Sequence, residues 1–360
     1  MKKKILFLFV LLATSLAVLA RVKFNGLVYG FDYGIYQPDG IDYSYKTLLI
    51  LGEDPVQASQ DVSNWYNSNS FKLQGVTPEG IIQEQVNYPQ NRFLFPLLSA
   101  PFVKLFGLQG MLAIPIISFY ALQLSIFFLG VKYNRMEIAT ILGFIFSVSP
   151  TILRWMVNDC SDSLFIAIIS SIPFILNARN QNIQRFLLSI VILGSTLTRF
   201  SLPIFLAIGT VMLIKRKYLS ALFLIALSTV SNIPALTQTN YMLLPQSEDG
   251  FWNKIAQLPI SAFKVAFIEI AQLAVLDRVL LMVIILSIYF ALANRRKESS
   301  MYFLAVFLGV WALGAVNGTL GVNFRYQLPV MIFSAWVLLD NLPRSFLISD
   351  IHVKRKEAQN

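Results

Sequence analysis

Two residue types are almost missing from this chain: it has one cysteine, Cys160, and one histidine, His352. A single thiol closes no internal disulfide, and no Cys/His metal cluster can be assembled. His352 lies in a basic C-terminal tail, which argues against a Ser-His-Asp triad. Acid–base chemistry therefore falls to carboxylates, lysines or tyrosines. Charge is scarce too: 13% of residues carry one, against roughly 25% in soluble domains.

Apolar surface fills the gap. Of 360 residues 56% are hydrophobic, Phe alone supplying 29, and mean hydropathy is +0.63. Too little polar surface remains to coat a water-soluble globule, so the natural solvent is lipid. The formal charge is +10, but the cations stand in short runs beside apolar stretches. There they act as topology signals rather than a nucleic-acid footprint, and no nucleic-acid partner is expected.

These runs predict an all-α, multi-pass protein forming one module over 1–360, with about ten transmembrane helices. Apolar stretches bounded by charge place spans near 5–20, 110–131, 137–156, 164–177, 186–198, 201–214, 218–235, 278–294, 301–317 and 326–340. The N-terminal Lys2–Lys4, apolar run and Val18-Leu19-Ala20 resemble a cleavable signal peptide. A retained first span is expected instead, because the later loops then alternate correctly. Lys132 and Arg135, Arg179 and Arg185, Lys215–Lys217 and Arg295–Lys297 mark cytoplasmic ends. The polar segment 21–106, closing with an interfacial helix over 93–106, forms a large first extracytoplasmic loop in which acids outnumber bases. A second outer segment covers 236–275, and the tail 341–360 is cytoplasmic. The run 186–214 has Arg199 in its middle and Lys215-Arg216-Lys217 at its end. Two short spans turning at Arg199 keep that triplet inside, with the turn sunk in a protein-lined cavity. No sequence repeat is visible, which argues against an inverted-repeat transporter.

Three places can carry chemistry. In Pro38-Asp39-Gly40-Ile41-Asp42, a tight turn can project Asp39 into a cleft, or simply cross the surface. The stretch Asn158-Asp159-Cys160-Ser161-Asp162-Ser163 brings two acids to the mouth of a helix hairpin. Ser161 or Asp162 can equally serve as the N-cap of the following apolar run. Arg92, Arg199 and Arg325 each fall at an outer boundary, where cations are depleted and an intramembrane charge needs a partner. A guanidinium fork suits phosphate; snorkelling to headgroups is the plainer alternative.

A resemblance covers residues 39–199. Asp39-Gly40-Ile41-Asp42-Tyr43, continuing through Lys46 to Glu53-Asp54-Pro55, resembles the first-loop pattern of bacterial integral-membrane glycosyltransferases of the C superfamily (GT-C), mannosyltransferase-like members included. Asn91-Arg92-Phe93-Leu94-Phe95-Pro96-Leu97-Leu98 is similar to the segment that follows that loop. Ser161-Asp162-Ser163-Leu164-Phe165 resembles the second acidic turn, and Leu197-Thr198-Arg199 a further element. Many relatives carry a Glu where this chain has Asp159-Cys160-Ser161-Asp162, so which acid is equivalent stays open. Residues 200–360 match only in hydropathy and in a late outer arginine, Arg325.

The resemblance implies transfer of a sugar from a polyprenyl-phosphate donor to a glycan, lipid or protein acceptor. The site would face the periplasm or exterior of the cytoplasmic membrane, in cell-envelope assembly. Asp39 would be the general base, and Asp42, Asp159 or Asp162 would orient acceptor or sugar hydroxyls or hold a divalent cation. Arg92, Arg199 and Arg325 would bind the donor phosphate. A cofactor other than such a cation is not implied. A transporter or flippase of anionic lipid-linked sugars, or a non-catalytic component of polysaccharide assembly, fits the same arginines without chemistry.

The topology yields a direct test. A cysteine introduced by Arg216→Cys is expected to react with a membrane-impermeant maleimide only after permeabilisation, and one placed within 236–275 to react from outside. Labelling of position 216 from outside would mean that 186–214 crosses as a single span.

Overall fold

The structure, a computed structural model, describes residues 2–24, 35–70, 73, 75–87, 92–237, 251–317, 325 and 327–342. Outside these lie parts of both outer segments (25–34, 88–91, 238–250), most of the expected turn at 317–325, and the tail from 343 onward with His352.

Among the described residues every regular element is helical. The helices are α1 (Lys2–Phe24), α2 (Pro38–Ile50), α3 (Pro55–Asn69), α4 (Pro78–Asn87), α5 (Leu94–Phe106) and, after a 3₁₀ stretch over Gly107–Leu112, α6 (Ala113–Lys132). There follow α7 (Met136–Val148), α8 (Pro150–Met156), α9 (Asp162–Ile169), α10 (Ile172–Leu176), α11 (Gln181–Thr196) and α12 (Leu202–Ile214). The last are α13 (Tyr218–Thr237), α14 (Phe251–Leu276), α15 (Arg278–Ala293), α16 (Glu298–Asn317) and α17 (Val330–Asn341).

Local chemistry sets many of these ends. Asp54 caps α3, its carboxylate accepting from the N–H of Val56 at 3.0 Å and Gln57 at 3.4 Å, with Pro55 behind it. Asn180 caps α11 in the same way. Pro150 lacks the N–H needed to continue α7. The expected straight span over 137–156 is therefore broken at Ser149, and α8 leaves α7 at 71°. Asp277 braces this break: its carboxylate accepts from the Ser149 hydroxyl and from the Thr151 N–H at 3.3 Å, and from the Leu280 N–H at 3.1 Å. One buried acid thus caps α8 and α15 together.

Among the described residues two helices, Lys4–Phe24 and the α5–α6 rod Leu94–Lys132, are long and apolar enough to cross a membrane. The bent pair α7–α8 makes a third if it is one span. Several other apolar helices, α12, α15 and α17 among them, run 10–17 residues, below the ~20 of a straight span. Apolar rows face outward. On α1, Ile5, Leu8, Leu12, Leu16 and Leu19 are each more than half exposed, and on α15 so are Val279, Met282, Ile285, Tyr289 and Leu292. Such a surface suits lipid and belongs to a membrane protein. The second outer segment expected over 236–275 is, over its described part, mostly one continuous helix, α14, packed on α16.

α1 is knitted into the bundle along α7. Thr14 and Ser147 share a hydrogen bond of 2.7 Å, Ser15 meets Tyr120 of α6 at 2.7 Å, and Gly143 leaves room for Val10. At the centre stands α17, with all ten residues from Val330 to Leu339 buried. A helix apolar on every side has no face for solvent. One end of α12 leads from Arg199 and the other to Lys215 and Lys217. Those lysines approach Glu298 at 3.6 and 3.5 Å, and Lys297 reaches the Asp340 carboxylate, at the far end of α17 from Arg325, at 3.7 Å.

Asp277→Ala is expected to lower the midpoint of thermal unfolding in detergent. It strands three donors in a buried place, each worth about 1–3 kcal/mol. Asp277→Asn, which keeps an acceptor oxygen, should recover part of the loss.

Candidate functional site

Four charged side chains from widely separated positions meet in one place. Asp39 stands in the first turn of α2 and Asp162 in the first turn of α9. Arg199 sits in the break between α11 and α12, and Arg325 ahead of α17. Arg325 bonds Asp39 through Nη2. It also spans Asp162, with Nε 3.1 Å from both carboxylate oxygens and Nη2 2.9 Å from Oδ2. Arg199 bonds Asp162 through Nη1 and lies 3.9 Å from Asp39. Arg325 also stacks on the Trp155 ring of α8, 4.8 Å from its centre, and Arg154 lies 5.0 Å from the same ring. Both carboxylates stand where helix N-termini favour negative charge.

The run 186–214 is two helices, α11 and α12, broken over 197–201 around Arg199. That loop is held on three sides. The Leu94 N–H donates to the Leu197 carbonyl at 3.3 Å, and the Ser161 hydroxyl donates to the Thr198 carbonyl at 3.3 Å. On the third side the Ser201 N–H donates to Asn232 Oδ1 of α13 at 3.3 Å. With its proton so used, Ser161 accepts from the Tyr43 hydroxyl at 2.9 Å. Ser161 is the N-cap of α9 by position, but its side chain makes no capping bond. Asp162 does not cap either; its carboxylate goes to the arginines.

Pro38-Asp39-Gly40 is not a free turn. Pro38 opens α2 and Asp39 projects from its first turn. Gly40 is there because a Cβ would overlap the Asp159 carboxylate. Asp159, wholly buried, joins three segments. Its Oδ1 accepts from the Gln37 N–H at 2.7 Å, its Oδ2 from the Tyr66 hydroxyl of α3, and its own N–H donates to the Ile35 carbonyl at 3.0 Å. The two candidate acids of this turn thus separate: Asp162 enters the arginine cluster and Asp159 supports α2. Asp42 is buried and paired with Lys46 at 2.8 Å. Arg92, half-buried, lies near enough to help lower the Asp39 carboxyl and to oppose the burial that raises the Tyr43 phenol.

The carboxyls differ in electrostatics. Burial would raise Asp39, but Arg325, Arg199 and Arg92 outweigh it and hold the carboxyl at about 2. Burial dominates at Asp159 and pushes it up to about 7, despite the bonds from Tyr66 and Gln37. Among the described residues no group of three or more His, Cys, Asp and Glu side chains could hold a metal ion. Trp155, Tyr66 and Gln37 complete the site without a signal of their own in the sequence. No family model, curated protein or solved structure matches this chain.

Asp159 carries a pH signature. Its folded value is raised above the unfolded ~3.9, so its contribution to stability is complete below about pH 4 and is lost as pH rises through about 7. Asp159→Asn is expected to flatten the wild-type decline in stability between about pH 4 and 7, read by unfolding in detergent across that range. Asp39 acts in the opposite sense, losing its contribution only as pH falls through about 2.

Proposed function

We propose that this chain is a GT-C-like membrane glycosyltransferase with about ten spans, moving a sugar from a polyprenyl-phosphate donor to an acceptor hydroxyl at the outer face. The observation that carries the reading is the convergence of Asp39, Asp162, Arg199 and Arg325. They lie at the end of α12 and α17 away from the basic runs, beside helices with lipid-facing surfaces.

Two guanidiniums against two carboxylates make a neutral set, and that neutrality suits the reaction. A donor phosphodiester enters with one negative charge and draws the arginine forks toward its oxygens. Asp39, with less of their hold, rises from about 2 toward a range in which it can accept a proton. The acceptor oxygen attacks the anomeric carbon, its proton passes to Asp39, and the carbon–oxygen bond to phosphate breaks with its electron pair on the phosphate. Negative charge leaves Asp39 as it appears on the leaving group, so the same arginines serve first the base and then the phosphate. The net charge of the site stays constant, and inversion at the anomeric carbon follows from the single displacement. Asp162 keeps the arginines aligned throughout. Stacking on Trp155 holds the Arg325 plane.

Sugar transfer from a polyprenyl-phosphate donor, measured in detergent or reconstituted vesicles, is the test. Asp39→Asn should lower turnover by about 10²–10⁴-fold while donor binding survives. Arg199→Ala should raise the donor KM or lower kcat strongly, and Arg199→Lys should recover only part, since the two-pronged contact is lost. A fully active Arg199→Ala protein would overturn the phosphate role, and transport without transfer would favour a flippase.

A further inference from the structure

A second feature lies away from the arginines, on α3. Asp61, Asn64, Trp65, Ser68 and Asn69 recur at the spacing of one helical face, and with Leu108 they line an open cavity of about 380 Å³. The other face of α3 is packed through Ala58, Val62 and Tyr66. Trp65 is half-buried and held edge-on to Tyr36 at 6.2 Å. Tyr36 stands edge-on to Tyr66 at 5.9 Å, and Tyr66 bonds Asp159. The cavity is therefore two aromatic rings from the carboxylate that supports α2.

From this lining we infer that the α3 face is a binding subsite for a neutral carbohydrate chain, the part of the acceptor remote from its reacting hydroxyl. The chemistry selects that class. Among the described residues that line the cavity the one charged side chain is Asp61, which disfavours an anion. A purely apolar ligand would cover a carboxylate, two amides and a hydroxyl without meeting their remaining hydrogen-bonding capacity. A pyranose chain offers hydroxyls that donate and accept, matched to side chains that do both, and C–H faces suited to a fixed indole ring. The anchors are set in advance: Asp61 is held by the Gln57 amide at 2.9 Å, and the Asn69 amide donates to the Trp65 carbonyl at 3.0 Å. From Asp61 to Asn69 the face runs about 12 Å, enough for more than one ring. The size fits the lower end of ligand cavities, ~300–1,000 Å³.

This rests on the glycosyl-transfer reading for its place in a reaction, but binding can be read without any donor. Saturation-transfer NMR on the full chain in detergent, with maltotetraose, cellotetraose, mannotetraose and chitotetraose as probes, is the experiment. At least one probe is expected to receive saturation at its ring C–H protons. Trp65→Ala should weaken its binding about tenfold or more, with Trp65→Phe keeping part. Asn64→Ala combined with Ser68→Ala, both at exposed positions, should weaken it without touching the fold. Asp39→Asn should bind as wild type does. Failure of all four probes, or binding indifferent to both the Trp65 and the Asn64/Ser68 changes, overturns the subsite. Sugar transfer with a silent groove would leave the enzyme and remove the subsite; a binding groove without transfer would do the reverse.

Discussion

A charge taken out of water must find its opposite, and most of this architecture can be read from that constraint. Arg199 and Arg325 are largely buried, and an unpaired guanidinium in such a place costs several kcal/mol. Their partners come from segments more than a hundred residues apart, so pairing them draws the starts of α2 and α9, the break before α12 and the approach to α17 to one point. A buried ion pair is poor evidence of stability, since desolvation offsets much of the attraction. Retaining four such groups makes better sense as readiness for a ligand that can take over some of the pairings.

Asp159 works by different means. Its carboxylate receives a phenol and a backbone N–H, and its bulk occupies the space that Gly40 leaves. Burial thereby pins the first turn of α2, and with it the angle at which Asp39 meets Arg325. Two acids three residues apart thus divide the labour: one is matched by cations, the other by shape and hydrogen bonds.

Much of this was legible from residue order. The all-helical character follows from the apolar runs, and the break around Arg199 from the basic triplet that ends the run 186–214. The candidate acids and arginines were named by position and charge. Pro38-Asp39-Gly40 misled because the same three residues suit a surface turn and a helix entry. Only the neighbour across the gap, Asp159, decides between them. The division between Asp159 and Asp162 was invisible for the same reason: the partners of Asp159, Tyr66 and Gln37, lie far away in sequence. The bend at Ser149 was written in Pro150, but apolar continuity over 137–156 masked it.

α17 has a consequence for how this protein can change over generations. An ordinary surface helix offers drift most of its positions, because only one stripe meets the core. α17 offers none over the ten residues Val330–Leu339, each of which fits against a neighbour. Variation there must come as paired exchanges with α6, α7, α15 or α16, whereas the outward rows of α1 and α15 can wander among apolar residues. Distant descendants of this chain should thus be easier to recognise by α17 than by α1.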